Sequence, residues 1–349
     1  MTRIPEPVGD NGVSPIPLME LTSGFWAFKT LAAASELGVF AHLADGREAG
    51  VRTIAAELGM ADRPARLLLT ACTALGLLEK NGEHYRNSAM AEEFLVPGRP
   101  YHFGGLVRFC DQREYLPWHR LTESLRTNRP LTWDSEAQDT LFSAAGTTET
   151  ELLCEGMHSL SAITARVLAR SYDFGTYHKV LDVGGGSGAY LIELCKRYEQ
   201  LRGTVYDLPD MCHLAQGKIT AAGLDGTITT APGDFLHDTA LPDGHDLILL
   251  CMVLHDWDEQ TGRMLLRKCG EALASHGTVM VCELLLNRER TGPAAAALMG
   301  MNMLVETMGG QNYTGDQYLL WMREAGFRDT RIVRFAAPGA NGVVIGHRP

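Results

Sequence analysis

The stretch from Lys179 to Arg197 limits what this chain can fold into more than any other part of it. It reads Lys-Val-Leu-Asp-Val-Gly-Gly-Gly-Ser-Gly-Ala-Tyr-Leu-Ile-Glu-Leu-Cys-Lys-Arg. Val180, Leu181 and Val183 make the short apolar, β-branched run of a buried parallel strand. Gly184, Gly185, Gly186 and Gly188 follow at once, and Leu191, Ile192, Leu194 and Cys195 then recur at helical spacing. A strand that turns through glycines into a helix aims free N–H groups, at the positive end of a helix dipole, toward a ligand. With no Cβ in the way, that backbone can approach the ligand closely. The competing reading is a glycine-rich turn that binds nothing.

Two kinds of nucleotide suit such a turn. Gly184, Gly186 and Ala189 satisfy the dinucleotide pattern G-x-G-x-x-G/A, and Asp207 stands about 20 residues on, where a ribose-binding acid belongs. That pattern implies an NAD-dependent dehydrogenase. Asp182 argues the other way, because a carboxylate just before the glycines opposes a pyrophosphate and suits an ammonium group. Gly188 adds a G-x-G-x-G spacing, and the turn lies mid-chain. An adenosyl ligand with an amino-acid tail and no phosphates fits these features better.

Composition narrows the class. At 349 residues the chain can hold two domains around substantial cores. Its formal charge of −11 argues against a sequence-independent grip on nucleic acid, which needs clustered Lys and Arg. Eight cysteines are scattered through apolar segments with no C-x-x-C pair, the usage of reduced, buried thiols in a cytoplasmic protein. Residues 1–17 are Pro- and Gly-containing without an apolar core, so the expectation there is disorder and no signal peptide. No apolar run approaches the length of a membrane span.

Taken in order, residues 18–100 read as a small helical module. Leu18 to Leu43 is one long helix-favouring stretch, apolar on nearly every face, and so expected to be buried against another subunit. Thr53–Leu58 and Ala65–Leu75 follow as helices, the second with Asp62 as N-cap and Pro64 in its first turn. Leu77-Leu78, Asn81-Gly82 and His84-Tyr85 read as a hairpin with a type I′ turn. Helix, helix, helix, hairpin is the order of a winged helix. The would-be recognition helix offers only Arg63 and Arg66 before an apolar run, so packing and dimerisation suit it better than reading a groove.

Residues 101–172 read as a helical linker, interrupted at Pro117, Pro130 and Gly146, whose aromatic residues divide between core and a pocket for a flat substrate. From 173 to 349 strands and helices alternate in the α/β manner. Asp182, Asp207, Asp234, His255 and Glu283 all stand just after predicted strands, and the carboxyl edge of an open α/β sheet is where ligands bind.

Five motifs occur in sequence: Asp-Val-Gly-Gly-Gly-Ser-Gly (182–188), Val-Tyr-Asp-Leu-Pro (205–209), Gly-Asp-Phe (233–235), Leu-His-Asp-Trp-Asp (254–258) and Met-Gly-Gly-Gln-Asn-Tyr-Thr (308–314). In these the chain resembles the class I S-adenosylmethionine-dependent O-methyltransferases of the caffeic acid and hydroxyindole type, with their bacterial natural-product branch. The resemblance covers nearly the whole chain. It implies a Rossmann-like methyltransferase sheet behind an N-terminal, mainly helical winged-helix dimerisation domain, and a homodimer.

Carried over by position, the resemblance implies that Asp182, Gly184 and Gly186 hold the methionine part of the cofactor. Asp207, beside Leu208, takes the ribose hydroxyls, and Asp234 and Phe235 take the adenine. Cys251 stands where plant relatives carry a cofactor-side lysine. His255 is the expected general base and Glu283 its orienting partner. Trp118, Met252, Asp256, Met303, Glu306, Thr307 and Asn312 are the expected acceptor pocket. Asn312 replaces a second carboxylate of those relatives, for which Glu306 is an alternative. Thr307 occupies the place of a second metal-binding His, so no metal is expected. The acceptor is read as a small aromatic hydroxyl. Transfer to carbon or nitrogen, a non-catalytic S-adenosylmethionine-binding protein and the dehydrogenase stay open as alternatives.

Overall fold

The structure is a computed structural model that describes residues 13–138, 140–142 and 147–349. Most of the segment expected to be disordered, and Gly146, lie outside the described residues. The chain divides into two compact units between Asp111 and Gln112.

The first unit contains α1 (Ile16–Glu36), α2 (Val39–His42), β1 (Ala49–Gly50), α3 (Val51–Glu57), α4 (Asp62–Ala74), β2 (Leu78–Asn81), β3 (His84–Asn87), α5 (Ala89–Phe94) and α6 (Gly104–Phe109). Helices α3 and α4 with the β1-β3-β2 sheet form the winged helix. Its core is Phe40, Leu43, Ile54, Leu69, Cys72 and Tyr85.

Several local expectations are corrected here. The first helix does not run unbroken to Leu43, because Gly38 takes φ +76° and starts a separate turn. Asp62 is the first residue of α4 rather than its cap, since Ala61 holds the extended N-cap conformation. The hairpin pairs Asn81 with His84, so its loop is Gly82-Glu83. Of those two only Gly82 has positive φ, which rules out type I′, where both central residues need it.

The second unit begins with α7 (Tyr115–His119), α8 (Leu121–Thr127) and α9 (Thr147–Ser171). Pro117 lies within α7, directly after a π-helical stretch at Cys110–Glu114. Then follow β4 (Lys179–Val183), α10 (Ala189–Arg197), β5 (Arg202–Asp207), α11 (Pro209–Ala221), β6 (Ile228–Pro232), β7 (His245–Cys251), α12 (Glu259–Ala272), β8 (Leu273–Glu283), α13 (Ala294–Glu306), α14 (Gly315–Glu324), β9 (Arg328–Arg334) and β10 (Gly342–His347). Among the described residues the strands form one seven-stranded sheet in the order β6-β5-β4-β7-β8-β10-β9. The first five are parallel, and β10 lies antiparallel to both its neighbours.

Strand alternation sends Val180, Val205, Leu249 and Met280 to one face, against Leu168 of α9, Leu191 of α10 and Ile219 of α11. Leu181, Ile248, Val281 and Val344 go to the other, against Leu265 and Leu266 of α12 and Trp321 of α14. Each fully buried leucine here stabilises the sandwich by about 1.5–3 kcal/mol. Thr314 and Gln317 close the expected capping box at the start of α14. This packing leaves the carboxyl ends of β4, β5, β7 and β8 side by side.

Candidate active site

The glycine turn leaves β4 with Gly184, Gly186 and Gly188 all at positive φ, a conformation that requires glycine. A side chain at Gly184 would come within 2.9 Å of Val253, with Phe235 beside it at 3.8 Å. No described atom lies within 4 Å of the place a Cβ would take at Gly186, so this side of the turn is open.

Asp182 lies under the turn, completely buried, and neither carboxylate oxygen has a hydrogen-bond partner among the described residues. Burial, with the nearby Asp207 charge, pushes its carboxyl up to about 7. Asp207 closes the next strand. Its Oδ2 accepts the Gly186 N–H at 2.8 Å and its Oδ1 accepts the Leu208 N–H at 2.7 Å. Burial outweighs those two bonds and holds Asp207 up at about 6. Each oxygen keeps a second lone pair for a ligand hydroxyl.

Beyond β6, Asp234 accepts the Leu236 N–H at 2.8 Å and lies 2.8 Å from His237 Nδ1. The Phe235 ring meets Trp257 edge-on at 5.6 Å, and Trp257 in turn neighbours Phe142 at 6.3 Å. Cys251, the last residue of β7, is buried, and its free thiol is hydrogen-bonded to that of Cys282.

The chain leaves β7 through Met252, whose φ of +58° is strained for a residue with a side chain. It then forms a 3₁₀ turn, Leu254–Asp256. Glu283, at the end of β8, organises that turn. Its Oε1 accepts the N–H groups of Val253 at 3.1 Å and Leu254 at 3.0 Å, while Oε2 lies 2.6 Å from His255 Nδ1. Asp256 Oδ1 is 3.5 Å from the other ring nitrogen, Nε2. Burial alone would lower the His255 pKa, but Glu283 and then Asp256 outweigh it and push it up to about 9. Burial holds Asp256 up at about 6. Two carboxylates thus flank the ring, and both favour its protonated form.

Of the expected pocket residues, Met303 and Glu306 lie on α13 and Thr307 caps its end; this helix packs against the His255 turn. Trp118 donates its indole N–H to Asn302 Oδ1 at 2.7 Å. Met303 is buried one residue further on. Glu306 accepts from Arg113 at 3.3 Å and from the Thr132 hydroxyl at 3.0 Å, and burial raises its carboxyl to about 7. Thr307 bonds back to the Met303 carbonyl at 2.8 Å and receives the Gly310 N–H at 2.9 Å. Asn312 points its amide at the Leu284 carbonyl, 2.7 Å away. The Met252 thioether lies over Gly339 and Thr164, where a Cβ on Gly339 would come within 2.6 Å of the sulfur.

Three neighbours of these residues were not singled out by the sequence. Trp257 was read only as part of a motif, although its ring backs Phe235. Lys268 donates to the Phe235 and Asp238 carbonyls at 2.7 and 2.6 Å. His158 of α9 lies 2.8 Å from the Ser187 hydroxyl in the glycine turn, and burial lowers it to about 4, so it is neutral.

The sequence matches the O-methyltransferase domain over residues 118–328 and the O-methyltransferase dimerisation domain over residues 19–97. The chain belongs to the O-methyltransferase family. Among its relatives, 3-hydroxy-5-methyl-1-naphthoate 3-O-methyltransferase of Streptomyces sahachiroi is 48% identical over 332 residues, covering 95% of each chain. Acetylserotonin O-methyltransferase of Gallus gallus is 32% identical, covering 92% of this chain and 94% of its own. The crystal structure of human N-acetylserotonin methyltransferase in complex with S-adenosylmethionine superposes with a TM-score of 0.85 at 27% identity, over 98% of this chain and 99% of that one.

This O-methyltransferase is an S-adenosylmethionine-dependent enzyme, so the dinucleotide reading of the glycines falls away. The site fits the cofactor on its own terms. The two unpartnered oxygens of Asp182 answer an ammonium group, and the open glycine turn leaves room for the chain that bears it. Among the described residues no helix is long and apolar enough to cross a membrane, and no group of three His, Cys, Asp or Glu side chains is set to hold a metal.

Proposed function

We propose that the enzyme methylates a hydroxyl of a small aromatic acceptor in natural-product biosynthesis, with His255 as general base and Glu283 as its orienting partner. The observation that carries this reading is the grip of Glu283. One carboxylate fixes the turn through Val253 and Leu254 and holds Nδ1 of His255, which leaves Nε2 as the nitrogen able to meet an acceptor. The naphthoate and acetylserotonin enzymes, both named for transfer to oxygen on an aromatic framework, support the acceptor class.

S-adenosylmethionine, when bound, supplies an electrophilic methyl group, so the protein must align the acceptor and make its oxygen electron-rich. Asp182 with Gly184 and Gly186 would hold the methionine end, Asp207 beside Leu208 the ribose, and Asp234 and Phe235 the adenine. Cys251 supports this edge from the core. Neutral His255 takes the phenolic proton at Nε2, and Glu283 stabilises the resulting imidazolium. A pKa near 9 makes His255 a strong base, matched to a phenol of about 10. Trp118, Met303, Glu306 and Thr307 on and around α13 would flank the acceptor ring, with Met252, Asp256 and Asn312 closing the near side.

The enzyme works as a cytoplasmic homodimer in this reading. Leu18, Met19, Leu21, Phe25 and Trp26 of α1 are all more than half exposed, an apolar surface that a second copy would cover. The test of function is direct. Purified protein, labelled S-adenosylmethionine and a panel of hydroxynaphthoates, phenols and hydroxyindoles should yield an O-methyl product by NMR. Methyl transfer to carbon or nitrogen, or none to any member, would overturn the proposal.

A further inference from the structure

We propose that Lys268, together with the Tyr206–Asp238 pair, positions the loop from Gly233 to Asp238 in the shape that reads adenine. The inference rests on the assignment of Asp234 and Phe235 to the adenine made above. The loop joins two rigid elements without contributing a strand of its own, and it is tied down at three places.

Lys268 reaches from α12, and its ammonium donates to the Phe235 carbonyl at 2.7 Å and the Asp238 carbonyl at 2.6 Å. Tyr206 reaches from β5 and donates its hydroxyl to Asp238 Oδ2 at 2.6 Å. The same oxygen accepts the backbone N–H of Asp234 at 3.0 Å. Gly233 donates to the Asp207 carbonyl at 2.9 Å. A Cβ on Gly233 would come within 2.3 Å of the Tyr206 ring and 2.5 Å of Asp238 Oδ2, so the pair occupies the space a side chain would need.

The ties bear on function because of where they fall. Asp234 and Phe235 turn their side chains to the site, whereas Lys268 holds Phe235 by its own carbonyl and Asp238 holds Asp234 by its own N–H. The two contact residues are thereby fixed through their backbones, and the Leu236 N–H and His237 Nδ1, each 2.8 Å from an Asp234 carboxylate oxygen, orient that side chain as well. A glycine-led loop without these ties would have to be ordered each time a ligand bound, at a cost to affinity. Bonds from an ammonium or to a carboxylate are charge-assisted and roughly twice as strong as neutral ones; Lys268 makes two of them and Asp238 accepts two more.

The experiment uses the full chain with Lys268→Met, Lys268→Arg, Tyr206→Phe and Asp234→Ala. Calorimetry would measure affinity for S-adenosylhomocysteine and for S-inosylhomocysteine, in which a carbonyl replaces the adenine amine. Lys268→Met should weaken S-adenosylhomocysteine by about tenfold, raise the KM for S-adenosylmethionine in proportion and leave kcat at saturation unchanged. The preference for the adenine over the hypoxanthine form should shrink, because the Asp234 acceptor is no longer held in place. Lys268→Arg should restore most of the preference, and Tyr206→Phe should move it less, in the same direction. A role in stability alone would lower the melting temperature and leave the preference intact, which would overturn the proposal. So would unchanged affinity in Lys268→Met while Asp234→Ala loses it. Unchanged affinity in Asp234→Ala would instead remove the adenine assignment, and this inference with it.

Discussion

His255 Nδ1 lies 2.6 Å from Glu283 Oε2, a contact between residues 28 positions apart in the chain that the parallel register of β7 and β8 brings to one edge. In the proposed reaction the other ring nitrogen, Nε2, meets the acceptor. His255→Ala is expected to lower turnover by about 10²–10⁴. Affinity for S-adenosylhomocysteine, measured by calorimetry, should change little. Equal losses in both would assign His255 to folding of the turn.

The same contact sets a pH dependence. With a pKa near 9, His255 is mostly protonated at neutral pH, so the fraction able to accept a proton grows as pH rises. kcat/KM should climb with a slope of about one per pH unit and level off near 9. Glu283→Gln removes the larger of the two charges that raise the pKa, so the rising limb should move to lower pH as the plateau rate falls. A limb unmoved by Glu283→Gln would assign the titration to another group.

Asp182 predicts a conflict between stability and binding. Its carboxyl is raised in the folded state to about 7, above the ordinary value of 3.8, so the folded protein binds more protons than the unfolded chain between those two values. Stability of the ligand-free enzyme from this group therefore falls as pH rises through that window. Asp182→Asn should stabilise the ligand-free protein at pH 8, by up to about 4 kcal/mol, and show no gain below pH 4. It should also weaken S-adenosylhomocysteine. Melting curves at the two pH values, with and without ligand, check both signs.

Gly310 predicts how closely the base must be placed. A Cβ there would lie 2.5 Å from the His255 carbonyl oxygen and 2.5 Å from the Thr307 hydroxyl, both on the floor of the site. Gly310→Ala must push the His255 turn aside. A displacement of that order costs about 10² in rate. Turnover should fall by that amount, and the melting temperature should fall with it. Wild-type turnover in the alanine variant would show that the turn yields freely.

The exposed face of α1 predicts the assembly. Leu21→Asp with Trp26→Asp places two charges on the proposed interface. Light scattering should find a dimer for the native chain and a monomer for the variant, at micromolar concentration. A native monomer would dismiss the interface.

Much of the second unit was legible because its signals are local. Val180, Leu181 and Val183, and the run Leu247–Cys251, have the apolar character that suits a buried parallel strand, and Thr314 with Gln317 writes its own helix start. Ends of strands placed Asp207, His255 and Glu283 on one edge before any contact was known. What escaped depends on geometry finer than residue type. Gly38 breaks a helix that its neighbours favour, and the hairpin loop shifts by one residue to Gly82-Glu83. Lys268 and His158 sit on helix faces that look like ordinary solvated or core positions, and only packing reveals what they reach. The basicity of His255 escaped for a related reason: it comes from Asp256 as well as Glu283, and the sum of two carboxylates across one ring cannot be read from spacing.

The insertion of β10 between β8 and β9 has a bearing on biosynthesis. During synthesis β8 follows its neighbour β7 closely, whereas the partner of its other edge, β10, is encoded only after residues 284–341. Throughout that interval an apolar strand edge is available to other nascent chains, the usual route to mispaired aggregates. Expression yield should therefore depend on how fast residues 284–347 are translated, and synonymous slow codons in that stretch should send the protein to inclusion bodies while leaving every side chain of the site intact.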